Sequence, residues 1–251
     1  MNYDFVVLDP SGNITILVKT PVPAGERASV AKELMEAVSN AEQVGFLTDV
    51  PDGDIGLVMA GGEFCGNATM SAAVLFAEQR GREDARVLVR SSGAPGPVAV
   101  DVARQKDGSY EGTLAMPAPL TIRPEALPGG WTLPVVQFEG ISHVILEEDL
   151  PAEAAEALAR SWCRFLAVDA LGILFLDRAA SRMTPLVWVP SAGSLVWENA
   201  CGSGTAAVGA FLSTEEDEPV TLTLRQPGGD LTISAVPDGP LWLTGTVKRI
   251  S

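Results

Sequence analysis

The segment Cys65-Gly-Asn-Ala-Thr-Met-Ser-Ala-Ala73 joins a cysteine to a glycine, a polar residue and a run of small side chains. The same pattern returns in the second half of the chain as Cys201-Gly-Ser-Gly-Thr-Ala-Ala-Val208. Each run is apolar or small on nearly every side, and a helix of that composition is buried. The two copies therefore predict two buried helices, each of which begins at a cysteine.

Other segments around the two cysteines also correspond, as expected for an internal duplication. Strand–turn–strand patterns cover residues 5–17 and 135–146, and exposed amphipathic helices are predicted at 30–38 and 151–160. We therefore predict an α+β fold of two pseudo-symmetric lobes, each a β-sheet wrapped around a central helix. Prolines and paired glycines cluster between 117 and 134 and mark a boundary. The predicted lobes are residues 1–120, with Cys65, and 121–251, with Cys201.

Composition excludes several classes of protein. The chain has 251 residues, of which 47% are hydrophobic, and this excludes global disorder. Its 32 acidic and 17 basic side chains give a formal charge of −15, so we expect no nucleic acid and no anionic membrane as partner. No apolar run reaches the roughly 18–20 residues of a membrane span, and the first residues lack a signal-peptide pattern. The sequence thus predicts a cytoplasmic protein.

The chain has three cysteines, Cys65, Cys163 and Cys201. The disulfide framework of a small secreted protein needs more cysteines and usually an even number of them. Together with the single histidine, His143, the three cysteines do not supply the closely spaced ligands of a zinc site. We therefore expect free thiols and no metal. Cys163 lies in a helical pattern and is interpreted as a structural thiol.

A cysteine at the start of a helix has distinctive chemistry. The first-turn N–H groups lack partners within the helix and carry partial positive charge, which favours a thiolate. Gly66 and Gly202 add no side chain there, so a carboxylate can be held against either helix end. If the lobes face each other, one thiolate can remove an α-proton while the opposite thiol delivers one. The pair Cys65 and Cys201 would then invert a stereocentre without a cofactor. The alternative is that both cysteines only pack.

The motifs Gly61-Gly-Glu-Phe-Cys-Gly-Asn-Ala68 and Trp197-Glu-Asn-Ala-Cys-Gly-Ser-Gly-Thr205 resemble those of the diaminopimelate epimerase-like superfamily of cofactor-independent racemases and epimerases. The resemblance covers most of the chain and includes Gly12-Asn13 and the turn at 226–231. It implies that fold, and Cys65 and Cys201 as the acid/base pair. It also implies that backbone amides grip the substrate carboxylate; these are the amides near Gly66, Asn67, Gly202 and Ser203.

Departures from the superfamily pattern reduce the number of candidate substrates. Gly140-Ile-Ser-His143 stands where diaminopimelate epimerases have Gly-Asn-Pro-His, and Val189-Pro190 stands where they have Glu-Arg. Loss of that arginine removes the partner of a second carboxylate and argues against diaminopimelate. The segment Ala41-Glu-Gln-Val-Gly-Phe46 and the Trp197-Glu198 pair most resemble histidine racemases of opine metallophore pathways. We expect Asn13, Gln43 and Glu198 to bind substrate, with Glu198 meeting a cation; its other interpretation is a charge at a helix start.

The leading hypothesis is therefore an isomerase, an amino-acid racemase that needs no pyridoxal phosphate, with histidine as the first candidate substrate. A second hypothesis keeps the fold and proposes an epimerase or isomerase of another small carboxylate, such as diaminopimelate, hydroxyproline or a phenazine precursor. The paired cysteines argue against the phenazine type. A non-catalytic amino-acid binding protein is a third hypothesis, and a redox dithiol protein is a fourth. We expect a small amino acid as partner and, by family habit, a homodimer. The roles of Glu63 and His143 stay open.

Overall fold

The computed structural model describes residues 3–250. The chain divides into two compact units. The first runs to Ala115 and resumes at Leu243, and the second is Met116–Trp242.

The first unit contains two helices and most of its strands in chain order. Its elements are β1 (Phe5–Pro10), β2 (Thr15–Val18), α1 (Arg27–Ala37), β3 (Gln43–Thr48), β4 (Ile55–Met59), α2 (Gly66–Gln79), β5 (Asp84–Ser91), β6 (Val98–Arg104) and β7 (Tyr110–Met116). A short 3-10 turn, Ala24–Glu26, precedes α1. The strands are hydrogen-bonded in sequence order, from β1 to β7.

The second unit repeats this arrangement. Its elements are β8 (Thr121–Leu127), β9 (Trp131–Phe138), β10 (Ile141–Leu146), α3 (Ala152–Leu166), β11 (Leu171–Asp177), β12 (Arg182–Val189), β13 (Ser194–Trp197), α4 (Gly202–Glu216), β14 (Val220–Arg225) and β15 (Asp230–Ala235). The strands follow one another from β8 to β12 and then to β14 and β15, while β13 pairs with β12 at the side.

The duplication is visible in the directions of the strands. In the first unit the pairs β1–β2, β2–β3, β3–β4, β4–β5 and β5–β6 are antiparallel, parallel, antiparallel, parallel and antiparallel. The pairs β9–β10, β10–β11, β11–β12, β12–β14 and β14–β15 show the same five directions. The predicted pseudo-symmetric α+β fold is confirmed.

A buried helix lies at the centre of each unit. Every residue of Gly66–Ala77 in α2 is buried, and α2 contacts β1, β2, β4, β5 and β6. Helix α4 is buried along most of its length and contacts β9, β10, β14 and β15. A helix that is apolar or small on all sides gains burial only when sheet surrounds it. The sheet wraps each helix for that reason.

The outer helices are amphipathic, as predicted. Helix α1 buries Val30, Ala31 and Leu34, and helix α3 buries its apolar stripe around Trp162. The Trp162 indole N–H donates to the carbonyl of Pro128 at 3.0 Å, so this fully buried ring leaves no unpaired donor. No helix within residues 3–250 combines the length and apolar character that a membrane crossing needs.

The last strand, β16 (Leu241–Arg249), pairs antiparallel with β1, with Leu8 opposite Arg249 and Pro10 opposite Val247. The hydroxyls of Thr113 on β7 and Thr244 on β16 lie 2.8 Å apart. Residues from Leu243 onward therefore group with the first unit. The lobe boundaries 1–120 and 121–251 stay predictions, and the structural units differ from them chiefly in this C-terminal segment.

Close packing of α4 on its sheet yields a testable expectation. A Cβ added at Gly209 would lie 2.6 Å from Cγ1 of Ile233 on β15. Gly209→Val should lower the free energy of unfolding by about 1–3 kcal/mol, because the core must shift to accept the new side chain. Urea denaturation measures this change. Gly96→Val is the matched control, since nothing lies within 4 Å of a Cβ at Gly96; equal losses in both variants would contradict close packing at Gly209.

Candidate active site

Each of the two motif cysteines is the N-cap of a central helix. Cys65 has an extended backbone, and its Sγ accepts a hydrogen bond from the Ala68 N–H at 3.5 Å. The Sγ of Cys201 accepts one from the Gly204 N–H at 3.4 Å. The prediction that both buried helices begin at a cysteine is confirmed. Each sulfur therefore lies at the positive end of a helix dipole, which favours negative charge there.

A threonine four residues later fixes each cysteine. The hydroxyl of Thr69 donates to the carbonyl of Cys65 at 2.7 Å, and the hydroxyl of Thr205 donates to the carbonyl of Cys201 at the same distance. The backbone N–H groups of both threonines bond to the same two carbonyls at 2.9 Å. Two bonds from one residue hold each cysteine carbonyl, so the backbone that carries each sulfur is constrained.

The surroundings of the Cys65 sulfur are polar. Cys65 Sγ donates to Gln43 Oε1 at 3.0 Å. Gln43 Nε2 donates to Asn13 Oδ1 at 2.5 Å and to Thr15 Oγ1 at 2.7 Å. Asn13 Nδ2 donates in turn to Glu42 Oε2 at 2.8 Å. The structure thus brings three of the predicted site residues, Asn13, Gln43 and Cys65, into one hydrogen-bonded chain.

The surroundings of Cys201 are more buried. Burial raises the pKa of the Cys201 thiol well above its usual value, and the nearby Glu198 carboxylate adds to this through its charge and a hydrogen bond. The Ser203 hydroxyl, 3.5 Å from Sγ, and the Gly204 N–H act in the opposite direction. Glu198, Cys201 and Ser203 are therefore together in the second unit, and Glu198 reaches the sulfur itself.

A glutamine holds the backbone of Cys201. Gln226 Oε1 accepts from the Cys201 N–H at 2.8 Å, and Gln226 Nε2 donates to Thr205 Oγ1 at 2.9 Å. In the first unit the hydroxyl of Ser91 bonds to Thr69 at 3.1 Å. The sequence reasoning missed these partners. The threonine four residues after the cysteine in both repeats was a signal that could have shown them.

His143 touches this site through a hydroxyl. Its Nε2 lies 3.0 Å from Ser203 Oγ, and its ring packs edge-on against Phe138. The other nitrogen, Nδ1, has no hydrogen-bond partner within residues 3–250, and a Cβ at Gly172 would overlap it. A buried ring nitrogen without a proton costs less free energy when it lacks a hydrogen bond than a buried N–H does. We therefore assign the proton to Nε2, which then donates to Ser203. The histidine thus orients a side chain beside Cys201.

The remaining predicted residues are also placed. Gly66 and Asn67 are the first two residues of α2, and Gly202 is the first residue of α4. The carbonyl of Glu63 accepts from the Ser92 hydroxyl at 2.8 Å, so Glu63 anchors the segment that leads to Cys65. Cys163 is buried in α3, where its Sγ donates to the carbonyl of Val168 at 3.3 Å. Burial raises the pKa of Cys163, in keeping with a structural thiol.

All three cysteines are free thiols. Residues 3–250 contain no group of three or more His, Cys, Asp or Glu side chains arranged to hold a metal ion. The chemistry that these residues offer is proton transfer by thiols at two helix ends, with backbone N–H groups beside them for an anion.

Comparison with known proteins gives a consistent result. Residues 2–241 match the family profile described as the histidine racemase CntK N-terminal domain. The chain is 34% identical to a histidine racemase of Staphylococcus aureus over 244 residues, which cover 92% of this chain and 88% of that protein. It is also 34% identical to a histidine racemase of Fusobacterium nucleatum, over 83% of this chain and 80% of the relative. A diaminopimelate epimerase of Rhizorhabdus wittichii is 30% identical over 75% and 68% of the two chains.

Solved structures with the same fold include a PhzF-family phenazine biosynthesis protein from Bacillus anthracis, with a TM-score of 0.73 and 15% identity. A predicted epimerase from Pseudomonas aeruginosa has a TM-score of 0.71 and 17% identity. Both alignments cover 100% of this chain and 98% of the other. At such low identity the likeness supports the fold alone.

The environment of His143 predicts its behaviour with pH. Burial lowers the pKa of His143 to about 3, from an ordinary value of 6.5. Because this is the one histidine in the chain, its ring proton signals can be assigned directly. Proton NMR should show ring shifts that do not titrate between about pH 5 and 8. Titration near the ordinary value would contradict the buried, neutral ring.

The same shift links stability to pH. The folded-state pKa is depressed, so the unfolded chain takes up the proton first. The contribution of the neutral His143 ring to the free energy of unfolding is fully present above pH 6.5. It is lost as pH falls toward the folded-state pKa, by about 1.4 kcal/mol per pH unit. His143→Gln should remove this part of the slope of unfolding free energy between about pH 6.5 and 5. An unchanged slope in urea titrations would contradict it.

Proposed function

The chain belongs to the histidine racemase family, and from that premise we propose that it interconverts L- and D-histidine with Cys65 and Cys201 as a two-base pair. Membership of the family makes the protein an isomerase. The observation that carries the two-base mechanism is the repeated N-cap: in both repeats a cysteine sulfur lies at the N-terminus of a buried helix, and a threonine holds its carbonyl.

The chemistry needs stabilisation of a carbanion. Removal of the α-proton places negative charge on the α-carbon and carboxylate, and helix N–H groups are suited to hold it. Gly202 and Ser203, or Gly66 and Asn67, begin such helices. We propose that these backbone amides grip the carboxylate while the side chains beside them act on the α-carbon.

The proton balance of the reaction closes within the two thiols. One thiolate takes the α-proton and becomes a thiol, and the other thiol gives its proton to the opposite face of the carbanion and becomes a thiolate. The product is the other enantiomer, and the enzyme has gained and lost one proton. Its two sulfurs have exchanged protonation states, so the next turnover runs in the reverse sense or waits for the protons to re-equilibrate.

Two features support histidine over a dicarboxylate. Glu198 places a carboxylate beside the Cys201 sulfur, where it can pair with the cationic imidazole of histidine. Val189 and Pro190, at the end of β12 and the start of the following 3-10 turn, stand where diaminopimelate epimerases have Glu-Arg, and they offer no cation for a second carboxylate. Diaminopimelate is the second candidate because an epimerase of that substrate is among the relatives.

The homodimer expected from the resemblance stays a prediction, and light scattering of the purified protein would measure the oligomeric state.

The reaction is tested by proton NMR in deuterated water with the reduced protein. L-Histidine should lose its α-proton signal and gain the D-isomer, while other amino acids and diaminopimelate react more slowly. Exchange of diaminopimelate alone would favour the second candidate. Binding of histidine without exchange at the α-carbon would indicate a non-catalytic amino-acid binding protein.

The two-base pair is tested by substitution. Cys65→Ser and Cys201→Ser should each reduce racemisation by about 10²- to 10⁴-fold, because a serine hydroxyl is a far weaker acid than a thiol. Circular dichroism should show an intact fold in both. Cys163→Ala is the matched control and should racemise at the wild-type rate. Full activity in either serine variant would rule out the mechanism.

The role of Glu198 in binding is tested separately. Glu198→Gln should raise KM for histidine by about tenfold, because a charged hydrogen bond to the substrate becomes a neutral one. Removal of the charge should also lower the pKa of Cys201, which the pH dependence of its alkylation reports. Glu148→Gln, an exposed carboxylate in the same unit, is the control. An unchanged KM with a lowered Cys201 pKa would confine Glu198 to an effect on the thiol.

A further inference from the structure

We propose that Thr15 and Gln43 are positioning residues that hold Cys65 as the protonated thiol, and so as the acid, in the resting enzyme. The backbone carbonyl of Asn13 and the carboxylate of Glu42 can only accept hydrogen bonds. These two groups determine which partner donates in every hydrogen bond that links them to the Cys65 sulfur. The proposal deepens the proposed function, on which its catalytic consequence rests.

The first fixed acceptor is the backbone carbonyl of Asn13. The hydroxyl of Thr15 lies 2.9 Å from it and donates its single proton there. Thr15 is fully buried, so no solvent competes for that proton. Toward any other neighbour the Thr15 oxygen can therefore only accept.

The second fixed acceptor is the carboxylate of Glu42. It accepts from Asn13 Nδ2 at 2.8 Å, which turns the amide oxygen of Asn13 toward Gln43. Both neighbours on this side of Gln43, Thr15 Oγ1 and Asn13 Oδ1, consequently act toward it as acceptors. The Gln43 amide nitrogen supplies both hydrogens, at 2.7 and 2.5 Å.

The orientation of the Gln43 amide is thus determined by its partners. Its oxygen, Oε1, is left 3.0 Å from Cys65 Sγ. An amide oxygen only accepts, so the sulfur must carry the proton that it shares. A flipped amide would set its oxygen against the oxygens of Thr15 and Asn13 and lose two hydrogen bonds. A thiolate at Cys65 would face a lone pair that cannot turn away.

Cys201 is held differently. The Ser203 hydroxyl beside it can rotate and donate to a thiolate, and the charge of Glu198 can be offset by a cationic substrate. The carbonyl of Gln43 can be neither rotated nor neutralised. When histidine binds, the constraint on Cys201 is relieved and the constraint on Cys65 stays. Cys201 then acts as the base and Cys65 as the acid in the turnover that starts from the resting state.

The preference of Cys65 for the thiol form in the resting enzyme has a defined effect on the kinetics. Enantiomers have equal free energy in water, so kcat/KM must be the same for L- and D-histidine in the wild type and in every variant. A preference for one protonation state therefore appears only in the separate kcat and KM values of the two directions. In Gln43→Met the ratio of the two KM values should move toward one.

The proton assignment is tested without substrate. The full-length reduced protein is treated with iodoacetamide at about pH 7.5, and mass spectrometry follows Cys65, Cys163 and Cys201 separately. Gln43→Met removes the acceptor but fills the space, and should speed alkylation of Cys65 by about 5- to 10-fold, the effect of one hydrogen bond. Cys201 should react at its wild-type rate.

Three further variants distinguish an effect of the orientation of the Gln43 amide from simple shielding of the Cys65 sulfur by the side chain. Thr15→Val removes one of the two acceptors that fix the amide and leaves the contact of Gln43 with Asn13. It should also speed alkylation of Cys65, by less than Gln43→Met does, and Thr15→Ser, which keeps the hydroxyl, should restore the wild-type rate. Gln43→Glu keeps an acceptor, adds negative charge and should slow alkylation. If Thr15→Val does not fold, the opposite signs of Gln43→Met and Gln43→Glu still decide.

Two results would overturn the proposal. One is a wild-type Cys65 rate in a folded Gln43→Met variant, and the other is a change of the same sign in Gln43→Met and Gln43→Glu, which would indicate simple shielding of the sulfur. Because alkylation requires no turnover, these results are distinct from a failure of the proposed function, which would appear as absent racemisation by the wild-type protein.

Discussion

The hydrogen bond from the first turn of each central helix to the sulfur of its N-cap cysteine is the interaction on which the candidate site depends. It can form only if the helix begins at the cysteine, and the threonine four residues later closes on the same backbone. Small side chains along the helix let strands approach from several directions, so the sheet encloses it. The start of each helix is then the one part where its backbone N–H groups point outward with partial positive charge.

Much of the architecture was predictable because the repeat is written in local patterns. A cysteine, a glycine and a small-residue run identify each central helix, and strand–turn–strand signals precede both. The place of residues 243–249 was not predictable, because alternation in a strand shows which face is buried but not which neighbour it pairs with. The match of Leu8 to Arg249 joins the two ends of the chain, and no local signal encodes such a pairing.

The candidate site shows the same division. Cys65 and Cys201 were predicted as site residues because their chemistry follows from position at the start of a helix, and the structure places both there. The roles of Thr15, Gln226 and His143 were not, since each acts through a partner that is remote in sequence, such as Ser203 for His143. Gln43 was predicted as a substrate-binding residue, but only the surrounding network shows which end of its amide faces the sulfur. Donor and acceptor direction is a property of the folded network and is absent from the amino-acid sequence.

The return of β16 to β1 sets an order of events during synthesis. Residues 116–242 form one continuous stretch of chain, so every residue of that unit has been made before Leu243. The unit that contains the N-terminal half must wait with an incomplete sheet until its last strand has been made. The unit that is begun first is therefore the unit that is finished last, and until then the edge of β1 that pairs with residues 247–249 stays open to another strand.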